Sequence, residues 1–178
     1  MRVINADGTE ASMCGNGLRT VARYLGTQNS QEDFRVQTMY ADLKVQAVAD
    51  FAAHVPAYSV EISPVTFDAQ TLGMHANNDA TTIINEKIPA LSADLKFSAV
   101  AVPNPHLIAF VDHDTLVGPE LGRIGEWMND GKNQIFPDGV NVSFVEVLGP
   151  NSIFVRTFER GVGFTNACGT AMSASSLM

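Results

Sequence analysis

The sequence is poor in cysteine, with two in 178 residues, and in histidine, with four. Two cysteines cannot staple a small scaffold, and a chain this long buries enough apolar surface not to need one. Neither cysteine stands in a Cys/His cluster. His54, His75, His106 and His113 are scattered without HxxxH or HExxH spacing, so no metal is expected. Basic residues are scarce too: 11 Lys and Arg face 19 Asp and Glu, a net charge of −8. Phosphate backbones and anionic membrane surfaces attract clustered cations, so neither nucleic acid nor membrane is an expected partner. No apolar run approaches the roughly 20 residues that cross a bilayer. The opening MRVINADG lacks the apolar stretch of a signal peptide, which leaves the cytoplasm as the expected location.

What is present describes a folded globular chain, with 46% hydrophobic and 17% charged residues. Leu18, Val21, Ala22 and Leu25 mark one face of a helix that Gly26 is expected to end. Phe34–Met39, Leu43–Val48, Tyr58–Ile62 and Thr81–Ile84 read as short strands rich in β-branched residues. Ala99–Phe110 is extended but interrupted by Pro103-Asn104-Pro105, which puts Asn104 and His106 on a bend at a strand end. Leu121, Ile124, Trp127 and Met128 predict a second helix stopping near Asp130-Gly131. Val140–Val147 and Ile153–Phe158 predict a hairpin around Gly149-Pro150-Asn151, and a third helix should begin near Gly169. The polar stretch Asp68–Asp79 is the candidate boundary between two lobes, 1–70 and 71–178.

A weak repeat joins the two ends. Asn5 precedes Cys14-Gly15-Asn16-Gly17 by nine residues, and Glu159, followed by Arg160, stands at the same remove from Cys168-Gly169-Thr170-Ala171. Each Cys-Gly leads into a helix pattern. The first N–H groups of a helix lack intrahelical partners and sit at its positive end, so a thiolate there is stabilised and its pKa should fall. The following glycine lets amides approach an anion, and Asn16 or Thr170 adds a donor, so such a site suits a carboxylate. Two facing sites would hold one carboxylate, with a sulfur on either side of the neighbouring carbon. Inversion at an amino-acid α-carbon needs that arrangement: one base, donors for the developing charge, and an acid on the opposite face. No pyridoxal phosphate is required. The ordinary alternatives are a buried structural cysteine before a plain helix start, and a disulfide between the two.

At these residues the sequence resembles the diaminopimelate epimerase family. Asn-Ala-Asp-Gly-Thr-Glu-Ala-Ser-Met-Cys-Gly-Asn-Gly-Leu-Arg is close to one family signature, and Glu-Arg-Gly-Val-Gly-Phe-Thr-Asn-Ala-Cys-Gly-Thr to another. Asn104-Pro-His106 and Phe136-Pro-Asp-Gly-Val-Asn141-Val match two further segments. The resemblance implies an α/β (α+β) fold of two similar lobes, each a curved mixed sheet around a central helix. It implies a cofactor-free isomerase that interconverts LL- and meso-diaminopimelate in lysine and peptidoglycan biosynthesis. Cys14 and Cys168 would be base and acid, tuned by His106 and Glu159. Gly15, Asn16, Gly169 and Thr170 would cradle the α-carboxylate, and Asn5, Asn104, Asn141 and Arg160 the distal end. The substrate would be a small molecule, and a homodimer is compatible with the reading.

Departures accompany the resemblance. Phe164 stands where many members carry Glu, and Asp138-Gly139 where a Glu-Arg pair is common. The family continues beyond both ends, so the first and last parts of the fold are expected to be incomplete. The alternatives are a proline-racemase-like or phenazine-type isomerase, and an inactive fragment with a binding or structural role.

Overall fold

Leu18, Ala22 and Gly26 recur every fourth residue and form the buried line of a helix, α1 (Gly15–Asn29). The computed structural model describes residues 1–4, 8, 10, 13–39, 41–75 and 80–178, which divide into two units, Met1–Pro64 and Val65–Met178. In the first unit α1 packs on a three-stranded antiparallel sheet of β1 (Asp33–Gln37), β2 (Asp42–Ala52) and β3 (Val55–Val60), in that order. Val36 pairs directly with Leu43, and Leu43 and Val45 alternate onto the face that meets Leu18 and Ala22. Gly26 does not end the helix. It lies in the interior because a Cβ there would come within 2.1 Å of the Tyr58 hydroxyl, so the ring of β3 fits only over glycine. The helix stops instead at Ser30, whose φ of 52° turns the chain into the left-handed region.

The second unit is built on a six-stranded mixed sheet, β4 (Glu86–Lys87), β5 (Lys96–Ala101), β6 (Pro105–Phe110), β7 (Asn141–Gly149), β8 (Ser152–Glu159) and β9 (Gly163–Phe164), in sequence order. All neighbours are antiparallel except β6 and β7. That parallel pair needs a crossover, and α2 (His113–Val117) and α3 (Glu120–Met128) supply it. Phe97, Leu107, Val142 and Phe144 of the sheet meet Leu116, Leu121, Ile124 and Met128 of these helices in one apolar core. The last helix, α4 (Gly169–Ser176), packs on β6, β7 and β8.

Two further expectations need correction. Thr81–Ile84 is not a strand: the Thr81 carbonyl accepts from Ala69 and the Ile83 carbonyl from Ala99, so no single ladder forms and pairing is sustained only at Glu86–Lys87. His106 is not at a bend. Only Asn104 lies in the turn; Pro105 opens β6, and His106 sits inside it between Val100 of β5 and Asn141 of β7. Ala69, Leu72 and Met74, from the stretch read as a boundary, are buried in the core of the second unit. No helix among the described residues is long and apolar enough to cross a membrane.

Candidate active site

Cys14 is the residue at which extended backbone (φ −141°, ψ 92°) becomes helix. Its carbonyl accepts the first intrahelical bond, from Leu18 N–H at 2.8 Å. Its sulfur accepts from the backbone N–H of Gly17 at 3.3 Å, where a serine or aspartate oxygen would usually cap. The first turn of α1 contains no acidic residue, so no carboxylate there repels an incoming anion. A Cβ on Gly15 would meet open space, whereas one on Gly17 would lie 3.1 Å from the Cys14 sulfur. Asn16 is exposed, and its side-chain oxygen accepts from Arg19. Asn5 lies outside the described residues.

Cys168 takes the same place at the start of α4 (φ −125°, ψ 108°), and its carbonyl accepts from Met172 N–H at 3.0 Å. Its sulfur lies 3.4 Å from the hydroxyl of Thr170. The Asn104 amide donates to that hydroxyl at 3.3 Å, which leaves the hydroxyl proton for the sulfur. Glu159 closes β8 with its carboxylate toward the thiol, and Thr165 donates to that carboxylate. Here the expectation of a lowered thiol pKa is overturned. Burial raises it, the negative Glu159 adds to the rise, and the Thr170 hydroxyl and Ala171 N–H oppose it without prevailing. Cys168 therefore rests as a thiol.

Arg160 is held at three points. Its N–H donates to the Asn141 side-chain oxygen at 2.9 Å, and its guanidinium to the Asp138 carbonyl at 3.3 Å. Its aliphatic stem lies against Gly139, where a Cβ would stand 3.1 Å from Cδ. The Asn141 amide in turn donates to the Pro105 carbonyl at 3.1 Å. Asn141 thus clamps the start of β6 to the end of β8 and offers a substrate only its remaining N–H. His106 is fully buried, and neither ring nitrogen has a hydrogen-bond partner among the described residues; the same holds for the Asn104 side-chain oxygen. Burial, helped by the positive charge of Arg160, pushes the His106 pKa down to about 3, so the imidazole is neutral near pH 7.

Within the second unit two hydrogen-bonded groups, Asn104–Thr170–Cys168–Glu159 and Asn141–Arg160, adjoin through the chain at 104–105 and 159–160. A cavity of about 500 Å³ opens beside Cys168, lined by Thr157, Thr165, Asn166 and Met172 among others. A cavity of about 530 Å³ between Phe67, Ile84, Lys96 and Phe110 contains none of the expected residues. The sequence reading missed Gly17, which fixes the Cys14 sulfur, and Thr165, which holds Glu159. It also missed Asn129, whose side chain bonds both backbone groups of Val140 and so shapes the loop under Arg160. Only Gly17 carried a signal, its place in Cys-Gly-Asn-Gly.

The family model for diaminopimelate epimerase matches residues 98–177. The diaminopimelate epimerase of Ligilactobacillus salivarius is 68% identical over all 178 residues, and that of Enterococcus faecalis 62%. The chain spans about half the length of these curated relatives, 54% in each case. A crystal structure of a Bacillus anthracis phenazine biosynthesis protein of the PhzF family matches 95% of this chain and 57% of its own, with a TM-score of 0.55 and 13% identity. That likeness concerns the fold alone.

Proposed function

Because the chain belongs to the diaminopimelate epimerase family, we propose that it carries the two thiols of a cofactor-independent epimerase that interconverts LL- and meso-diaminopimelate. One observation carries the reading. The two cysteines each stand at the N-cap of a helix, and each sulfur has a hydrogen-bonding neighbour from that helix's first turn.

The chemistry follows from those neighbours. One thiolate removes the α-proton, and the other thiol returns a proton to the opposite face, with roles exchanged in the reverse direction. The charge that develops on the α-carboxylate falls to the free amides at the two helix starts, around Gly15-Asn16 and Gly169-Thr170. Burial and Glu159 hold Cys168 protonated, the form in which a thiol returns a proton. Arg160, Asn104 and Asn5 hold the distal amino-acid end, Arg160 by a charge-assisted bond to its carboxylate. A distal contact of that kind separates a diaminopimelate enzyme from a general racemase. On this reading the chain serves cytoplasmic lysine and peptidoglycan-precursor synthesis.

The test is α-hydrogen exchange in D2O, followed by NMR on LL-diaminopimelate. It uses the chain and a version extended to the relatives' full length. Exchange should appear in the extended version and vanish in Cys14→Ser and Cys168→Ser. No exchange in that version, or exchange that survives both substitutions, overturns the proposal.

A further inference from the structure

Glu159 is joined to Thr165 by a turn that its own backbone determines weakly. β8 and β9 pair only through Phe158 with Phe164 and Glu159 with Gly163. Gly161 in the turn and Gly163 at the start of β9 adopt φ of +75° and +90°, which glycine permits without enforcing. A two-residue ladder with such a turn does not hold a carboxylate in place unaided.

Side chains supply what the ladder lacks. The rings of Phe158 and Phe164 meet edge to face, 5.3 Å between centroids at 77°. The Arg156 guanidinium carbon lies 4.5 Å from the Phe164 centroid on the adjoining strand, while an Arg156 N–H donates to the Leu116 carbonyl at 3.0 Å. Both rings rest on α3 where it offers two glycines one turn apart. A Cβ on Gly125 would be 2.3 Å from Phe158 Cγ, and one on Gly122 would be 3.4 Å from Phe164 Cε2. Phe164 is nevertheless half exposed, an unusual state for a ring gripped on three sides. The next residue, Thr165, donates to Glu159.

We infer that Phe164 is a positioning residue: its ring, seated between Arg156, Phe158 and Gly122, holds the Glu159–Thr165 turn so that the Glu159 carboxylate faces Cys168. The inference rests on the reading of Cys168 as one of two acting thiols. It concerns a residue at which this chain departs from the resembled pattern, where an acidic side chain would meet the same guanidinium.

The test is the pH profile of iodoacetamide alkylation of Cys168, measured in the full chain carrying Cys14→Ser so that one thiol reports. Releasing the turn moves Glu159 from the thiol and admits water. Both changes favour the thiolate. Phe164→Leu should shift the profile to lower pH and speed alkylation severalfold at pH 7, while Phe164→Tyr, which keeps the ring, should reproduce the parent profile. In a Glu159→Gln background Phe164→Leu should shift the profile clearly less, because only the admitted water still acts. A Phe164→Leu profile that superimposes on the parent, or an effect equally large in the Glu159→Gln background, overturns the inference. Should Phe164→Leu fail to fold, Arg156→Met decides: it removes the cation and keeps the stem, and it must shift the profile the same way. The profile is read without substrate, so its outcome is separate from that of the exchange assay.

Discussion

The backbone N–H of Gly17 points at the sulfur of Cys14 from 3.3 Å, and a methyl group on Gly17 would stand 3.1 Å from the same atom. Gly17 is therefore matched to its neighbour's side chain and not to a turn. Alanine is the better helix former by about 0.5–1 kcal/mol, so Gly17→Ala should leave the first unit as stable as before or slightly more so. The sulfur must yield a few tenths of an ångström, and its hydrogen bond to the amide with it. The expected outcome is an unchanged or raised unfolding temperature, together with altered Cys14 alkylation, measured in a Cys168→Ser background. Unaltered alkylation counts against a role for Gly17 in seating the thiol.

Thr170 works by its hydroxyl. It receives the Asn104 amide and faces the Cys168 sulfur, and it acts to lower the thiol pKa against burial. Thr170→Val keeps the shape and removes the oxygen, so the thiol should titrate higher still and alkylation near pH 8 should slow. It also leaves the Asn104 amide unpaired, a cost of about 1–3 kcal/mol. Thr170→Ser should restore both properties. A valine variant with the parent pH profile would falsify this account.

The close approach of Tyr58 to α1 sets a third expectation. A Cβ at position 26 would be 2.1 Å from the Tyr58 hydroxyl oxygen and 2.7 Å from ring carbon Cζ. Gly26→Ala should destabilise the first unit by about 1–3 kcal/mol, the usual range for overpacking, despite alanine's higher helix propensity. Tyr58→Phe removes the hydroxyl but not the ring carbon, so it should relieve only part of the loss. Urea midpoints of the two single variants and the double variant check this.

Gly26 also shows why the fold was only partly legible in the sequence. A glycine after a periodic run reads as a helix stop, and nothing local reveals that a tyrosine more than thirty residues on needs that space. Likewise α2 is five residues long, too short to show a period, and β9 is two. By contrast α1, α3 and the β7–β8 hairpin carry strong local patterns, and the structure has them where the patterns predict. At the candidate site the two helix-capping cysteines were legible because Cys-Gly before a helical run is a local signal. The direction of the Cys168 pKa was not. Burial is a tertiary property, and it outweighs the helix-start amides that the motif advertises.

His106 gives the fold an acid sensitivity whose sign can be worked out. Its ring is fully buried, with a pKa down at about 3 against an ordinary 6.5. The unfolded chain therefore binds the proton more readily than the folded one between those two values. Stability from this group is fully present above about pH 6.5 and is lost as pH falls toward 3, at a rate set by the difference in bound protons. Over the first part of that window, down to pH 5, the loss comes to about 2 kcal/mol. His113 runs the other way: its bond to Glu146 raises its pKa, so its small contribution is present in acid and fades as pH rises through that raised value. It is mostly exposed and screened, so the buried histidine dominates. Urea unfolding of the second unit from pH 7.5 to 5 should thus show stability falling with acid, and His106→Gln, which cannot titrate, should flatten the slope even where it lowers stability throughout. An unchanged slope in that variant would assign the acid sensitivity to other groups and remove the buried imidazole from the account.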